Sequence, residues 1–290
     1  MSIDQLHNRI RKFKNPSMVS FEINPDDLPP HLLEQESTVP RAYERFCRET
    51  LQELKESVPA VRFSTGIFFS MGEVGWKILS NLLHAAKELG YYVVLDLPEI
   101  LSPLNAEYLA NSLESGVICC DAAIVSPYIG SDALKPFLHL CKSGHNAVFA
   151  VVRSPNKSAS ELQDLQFGTR QAHIATADIL SRYGESVLCK CGYSQIGALV
   201  SAGAPDILRN IRLKYPRCFF IVDGIDYPSG NSKNCSFAFD KFGYGAIVCA
   251  GASVTAAWKE NESDGQDYLL YTNRAVDKLK RNLSRYVNIL

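Results

Sequence analysis

The sequence predicts an α/β protein closed into a (β/α)8 TIM barrel, and three observations carry that expectation. Short apolar, β-branched runs alternate with amphipathic stretches of helical period from one end of the chain to the other. Eight such strand-and-helix units can be counted, the number that closes a barrel. The third observation is size: 290 residues with 46% hydrophobic content suit one large core better than two small ones, so one domain over 1–290 is expected.

In order, the expected strands are 18–23, 60–64, 91–96, 121–125, 147–152, 196–200, 219–222 and 246–249. Each is short and apolar enough to be buried in a parallel sheet. Helices are expected at 39–57, 73–89, 103–113, 133–141, 160–183, 205–214, 235–242 and 264–287. Boundary chemistry supports several of them. Ser160 with Gln163 three residues on reads as a capping box, and Gly90 follows Leu89 as a helix stop. Period alone also allows a doubly wound open sheet. The dinucleotide signature of that fold does not follow the first strand, and Gly243-Tyr-Gly245 reads as a helix-ending turn.

Charge and composition narrow the partners. Lysine plus arginine (30) nearly balance aspartate plus glutamate (31), and no basic stripe is present to neutralise a nucleic-acid backbone. No apolar run reaches the roughly 18 residues of a membrane span, and the first residues carry charge without an apolar signal core. A cytoplasmic protein without a membrane or nucleic-acid partner is expected. Nine cysteines, an odd number, fit reduced thiols better than a disulfide framework. Cys119-Cys120 and Cys189-Lys190-Cys191 lack a second pair at zinc spacing, and His139, His145 and His173 show no ligand spacing toward them, so no metal is expected.

Active sites of such barrels are built from the residues just beyond each strand. There, Asp121-Ala-Ala-Ile-Val-Ser-Pro-Tyr-Ile-Gly130, followed by Asp132 and Lys135-Pro-Phe137, resembles the fourth strand and loop of the bacterial long-form orotidine 5'-phosphate decarboxylases. Val151-Val-Arg-Ser-Pro-Asn156 followed by Glu161-Leu-Gln-Asp164 is similar to the same family. So are Lys14-Asn-Pro-Ser-Met-Val-Ser-Phe-Glu22, Phe68-Phe69 with Gly72, and Leu95-Asp96. These stretches occur in family order across almost the whole chain.

The resemblance implies a cofactor-free decarboxylation of a pyrimidine nucleotide by a homodimer. A Lys-Asp-Lys-Asp array stabilises and protonates the carbanion. Carried over residue by residue, the first lysine falls on Arg62, a broader and permanently protonated fork. The first aspartate is kept as Asp96. In Asp96-Leu-Pro-Glu-Ile-Leu101 the proton-donating lysine falls on Pro98 and the intersubunit aspartate on Leu101. A lost general acid costs roughly 10²–10⁴-fold in rate.

Other positions depart as well. Pro155, in Ser154-Pro-Asn156, has neither hydroxyl nor N–H to read the base. Asp223-Gly-Ile-Asp-Tyr-Pro-Ser-Gly230 puts Asp223, Asp226 and Pro228 where the family binds phosphate with backbone N–H groups and a glutamine. Cys249-Ala-Gly-Ala-Ser-Val254 contains no cation for that phosphate.

The candidate site is therefore Arg62 and Asp96 for chemistry, with Glu22, Asn105 and Asn156 on the substrate side. Arg62 reads as a partner of Asp96 and Glu22 in a structural ion network ahead of an anion clamp, and an asparagine in a loop more often satisfies its own turn. His84, His173, Trp76 and Trp258 read as structural. Three functions follow: a non-catalytic dimeric barrel binding a protein or small molecule at its mouth, a lyase on another substrate, or a decarboxylase in which Lys135 or Lys157 approaches the site.

Overall fold

The computed structural model describes residues 1–261 and 263–289. Eight parallel strands form a closed barrel: β1 (Ser17–Phe21), β2 (Ala60–Ser64), β3 (Tyr92–Asp96), β4 (Ala122–Val125), β5 (Ala147–Arg153), β6 (Ile196–Ser201), β7 (Phe220–Asp223) and β8 (Ala246–Ala250). Each pairs with its sequence neighbours, and β1 closes the ring by pairing with both β2 and β8. All eight coincide with an expected strand to within two residues at either end.

Alternation along each strand divides the core in two. Met18, Tyr92, Val94, Ile124, Phe149, Leu199, Ile221 and Ile247 fill the barrel interior. Their neighbours Val19, Val93, Val125, Val148, Val200, Val222 and Val248 pack outward against the helices. The same parity turns Arg62, Asp96, Asp223 and Cys249 inward at the strand ends, where they meet one another.

Helices Val39–Leu54, Gly72–Glu88, Pro103–Glu114, Pro205–Lys214 and Tyr268–Ser284 lie where expected. Three do not. The 133–141 helix is broken into the turns Gly130–Ala133 and Lys135–Phe137 and a short helix Leu138–Ser143, with Pro136 interrupting the backbone donors. Within 160–183, Gly168 at φ +60° turns a small hairpin between Gln166–Phe167 and Arg170–Gln171, and only Ala172–Gly184 is helical. Gln163 does not cap Ser160; its Oε1 accepts from the Ser154 backbone N–H at 2.9 Å. The 235–242 helix is replaced by Ser232–Cys235 and a turn, Ser236–Ala238.

A helix absent from the expectation, Ser2–Phe13, plugs the base of the barrel. Its buried stripe of Ile3, Leu6 and Ile10 joins the interior core, each side chain contributing about 1.5–3 kcal/mol by burial. The 3- and 4-residue spacing of that stripe was available in the sequence as a helical signal. Among the described residues no helix is long and apolar enough to cross a membrane. All nine cysteines are free thiols, and the described residues contain no cluster suited to a metal ion.

Candidate active site at the barrel mouth

Barrel closure brings the ends of β2, β3 and β7 together, and their inward side chains form one ion cage. Arg62 donates through Nε to Asp96 Oδ1 at 2.8 Å and through Nη2 to Asp96 Oδ2 at 2.6 Å, a bidentate fork. Its Nη1 donates to Asp223 Oδ2 at 2.9 Å and faces Cys249 Sγ at 3.7 Å. The backbone N–H of Gly224 donates to the second Asp223 oxygen at 2.7 Å. Arg62 is only 8% exposed, so the fork is committed inside the protein and does not extend toward a ligand.

Two carboxylates share one guanidinium, which leaves the cage short of positive charge. Burial pushes the Asp96 carboxyl above its ordinary range and Asp223 adds to the shift, against the pull of Arg62. Glu22 stands one residue beyond β1, exposed, with no hydrogen-bond partner among the described residues. Its carboxyl is also raised, first by partial desolvation at the mouth and then by Asp96 and Asp223, with Arg62 opposing.

The remaining expected positions do not join the cage. Asn156 is exposed and bonds within its own turn, accepting from Ser154 Oγ at 2.6 Å and donating to Ser158 Oγ at 3.2 Å. Asn105 sits in the first turn of Pro103–Glu114, its side-chain oxygen buried without a hydrogen-bond partner. Lys135 is 53% exposed and pairs with Asp132 at 2.8 Å, and Lys157 is exposed on the turn Lys157–Glu161; neither touches Arg62 or Asp96. Pro98 lines an apolar cavity of about 380 Å³ with Trp76, Leu97 and Leu109. Leu101 is 76% exposed.

Three features of the mouth escaped the sequence. Pro155 packs so closely on Gly224, itself at φ +79°, that a Cβ there would lie 2.4 Å from Pro155 Cβ, joining the loops after β5 and β7. Asp226 reaches from the β7 loop to the β8 loop, where its carboxylate accepts from the Gly251 N–H at 2.6 Å and from Ser253 Oγ. Behind the β5 loop, Arg153 pairs with Asp164 at 2.9 Å, and His173 Nδ1 lies 2.9 Å from the Gln163 carbonyl oxygen. The only sequence signal for these was residue type, since each partner lies across a loop or on another strand.

With this geometry in place, likeness to known proteins becomes informative. A protein named orotidine 5'-phosphate decarboxylase from Clostridium novyi is 24% identical over 284 residues, covering 98% of this chain and 98% of its own. One of the same name from Rhodopirellula baltica is 28% identical over 269 residues, covering 89% of each. The chain resembles the orotidine 5'-phosphate decarboxylases from end to end.

The solved structure of Leishmania donovani OMP decarboxylase, 22% identical, superposes with a TM-score of 0.74 over 97% of this chain and 99% of its own, which shows the shared barrel. No family model matches the chain. The mouth itself offers an arginine already bonded to two carboxylates, with Pro98 two residues beyond the end of β3.

Proposed function

We propose that this chain is a decarboxylase-like barrel that no longer performs the family reaction and serves as a homodimeric binding protein. One observation carries the reading: Arg62, the sole cation bonded into the cage among the described residues, spends its fork on Asp96 and Asp223. Among the described residues no lysine bonds to the cage to protonate a carbanion, and proline at 98 cannot supply the proton. Asp226, seated on the Gly251 amide and the Ser253 hydroxyl, supports the same reading, because it puts an internal anion on donors that a phosphate would need.

The test is decarboxylation of orotidine 5'-monophosphate by the purified protein, followed by loss of substrate absorbance. No turnover above the uncatalysed background is expected. Saturable turnover abolished by Asp96→Ala would overturn the proposal.

The homodimer is supported by exposed large apolar side chains at Leu101 and on the helices that follow β2 and β3. Leu101 (76%), Tyr108 (64%) and Leu104 (57%) are exposed, and Phe69 meets the exposed Trp76 edge-on at 4.9 Å. Exposed large apolar side chains suit an interface, and a second copy of the chain is the occupant proposed. Sedimentation should give twice the mass of 32.2 kDa. Leu101→Asp with Tyr108→Asp should give the monomer.

A second reading, a lyase acting on a different substrate, is favoured by Glu22, an exposed carboxyl without a partner whose raised pKa suits proton transfer. A thermal-shift screen of small carboxylated and neutral metabolites distinguishes the two readings. A stabilising compound whose effect disappears in Glu22→Gln supports the lyase.

A further inference from the structure

A cavity of about 470 Å³ lies outside the cage, between the C-terminal helix Tyr268–Ser284 and the loops after β7 and β8. That volume is in the range of small-molecule sites. One face of the helix supplies a wall at helical spacing: Tyr271, Arg274, Lys278, Leu279 and Asn282. The fully buried residues of the same helix, Tyr268, Thr272, Val276 and Leu283, occupy an adjacent stripe; Tyr271 and Leu279 pack partly against the core at the edge of the wall, while Arg274 and Lys278 are exposed.

The charges on this wall are uncommitted. Among the described residues neither Arg274 nor Lys278 has a carboxylate partner, and Arg274 meets only the Tyr271 ring, at 5.6 Å. Asn282 and Ser232, also lining the cavity, make no side-chain hydrogen bonds within the described residues. Across from the helix, Glu260 is likewise unpaired, whereas Asp226 is engaged by Gly251 and Ser253. Ile225 and Leu279 add apolar surface. The result is a cavity lined by two unpaired cations on one helix, an unpaired carboxylate from a separate short helix, and unused hydrogen-bonding groups.

We propose that this cavity binds a small organic anion that also carries an amine. The acidic group would lie on Arg274 and Lys278, and the amine would face Glu260. Neither cation belongs to the barrel mouth, so the proposal does not depend on whether the mouth turns over a nucleotide.

Titration calorimetry on the intact protein at low ionic strength tests it with three probes: phosphoethanolamine, inorganic phosphate and ethanolamine. Phosphoethanolamine should bind saturably, and more tightly than either of its halves. Arg274→Ala with Lys278→Ala should weaken it at least about tenfold, and Glu260→Gln should bring its affinity down to that of inorganic phosphate. These side chains are exposed, and an unchanged thermal midpoint will show that the variants fold. Absence of saturable binding at about 10 mM, or equal binding by the double variant, would overturn the site. Equal affinity for phosphoethanolamine and inorganic phosphate would overturn the amine requirement.

Discussion

The two ends of the barrel are filled by opposite means. At the base, the N-terminal helix presses Ile3, Leu6 and Ile10 into the interior, and neutral groups satisfy one another around it. Gln195 Oε1 accepts from the Ile3 N–H at 2.8 Å, while Ser2 Oγ donates to the Asp121 carbonyl at 2.8 Å and pairs with the Tyr92 hydroxyl at 2.7 Å. At the mouth, three charged side chains from β2, β3 and β7 are closed on one another. The base gains from burial, with hydrogen bonds that cost little to desolvate. The mouth exchanges a large desolvation penalty for a large attraction, and the two nearly cancel until a partner is removed. The difference marks the base as a neutral, buried plug and the mouth as the place where charged side chains from separate strands bond to one another.

Mutations can break this contrast. The largest loss is expected for Arg62→Ala, which leaves the part-buried Asp96 and Asp223 facing each other without a cation, at up to about 3–5 kcal/mol in urea denaturation. Replacing the whole cage, Arg62→Met with Asp96→Leu and Asp223→Leu, should be neutral or stabilising by about 1–4 kcal/mol. A triple variant much weaker than Arg62→Ala would show that the cage itself holds the barrel together.

At the base, Leu6→Ala should cost about 2–5 kcal/mol through the cavity it leaves. No companion substitution is expected to restore that loss cheaply. Gln195→Ala should cost about 1–3 kcal/mol, because the Ile3 N–H is orphaned inside the protein.

The smallest effect concerns pH. Glu22 titrates in the fold above its ordinary value of 4.5, so the folded state binds its proton more tightly than the unfolded chain does. The resulting stability is fully present below 4.5 and is lost as pH rises through the folded value. Glu22→Gln should flatten the thermal midpoint across that interval and raise it slightly at neutral pH. An unchanged profile would remove Glu22 from the electrostatics of the mouth.

Much of the scaffold was legible in the residues because its signals are local. Runs such as 147–152 and 219–222 are short, apolar and β-branched or aromatic enough to read as buried strands, and Pro98, Leu101 and Pro155 lie beyond strand ends as expected. Helices failed where a local break was overlooked, at Pro136 and Gly168. Asn156 illustrates the limit on the site side: its type and position suit a ligand contact, but the neighbouring Ser154 and Ser158 satisfy it first.

The sequence by itself determined the (β/α)8 architecture and the likeness to the decarboxylases, both of which depend on residue type and order. The tertiary structure alone decided that Arg62 divides itself between Asp96 and Asp223, the latter 161 residues away. It also decided that Asp226 spans two loops to Gly251 and that the first helix seals the base. The physical reason is closure: which strand ends become neighbours depends on the ring completed between β1 and β8, and a charge finds its partner only once that ring exists.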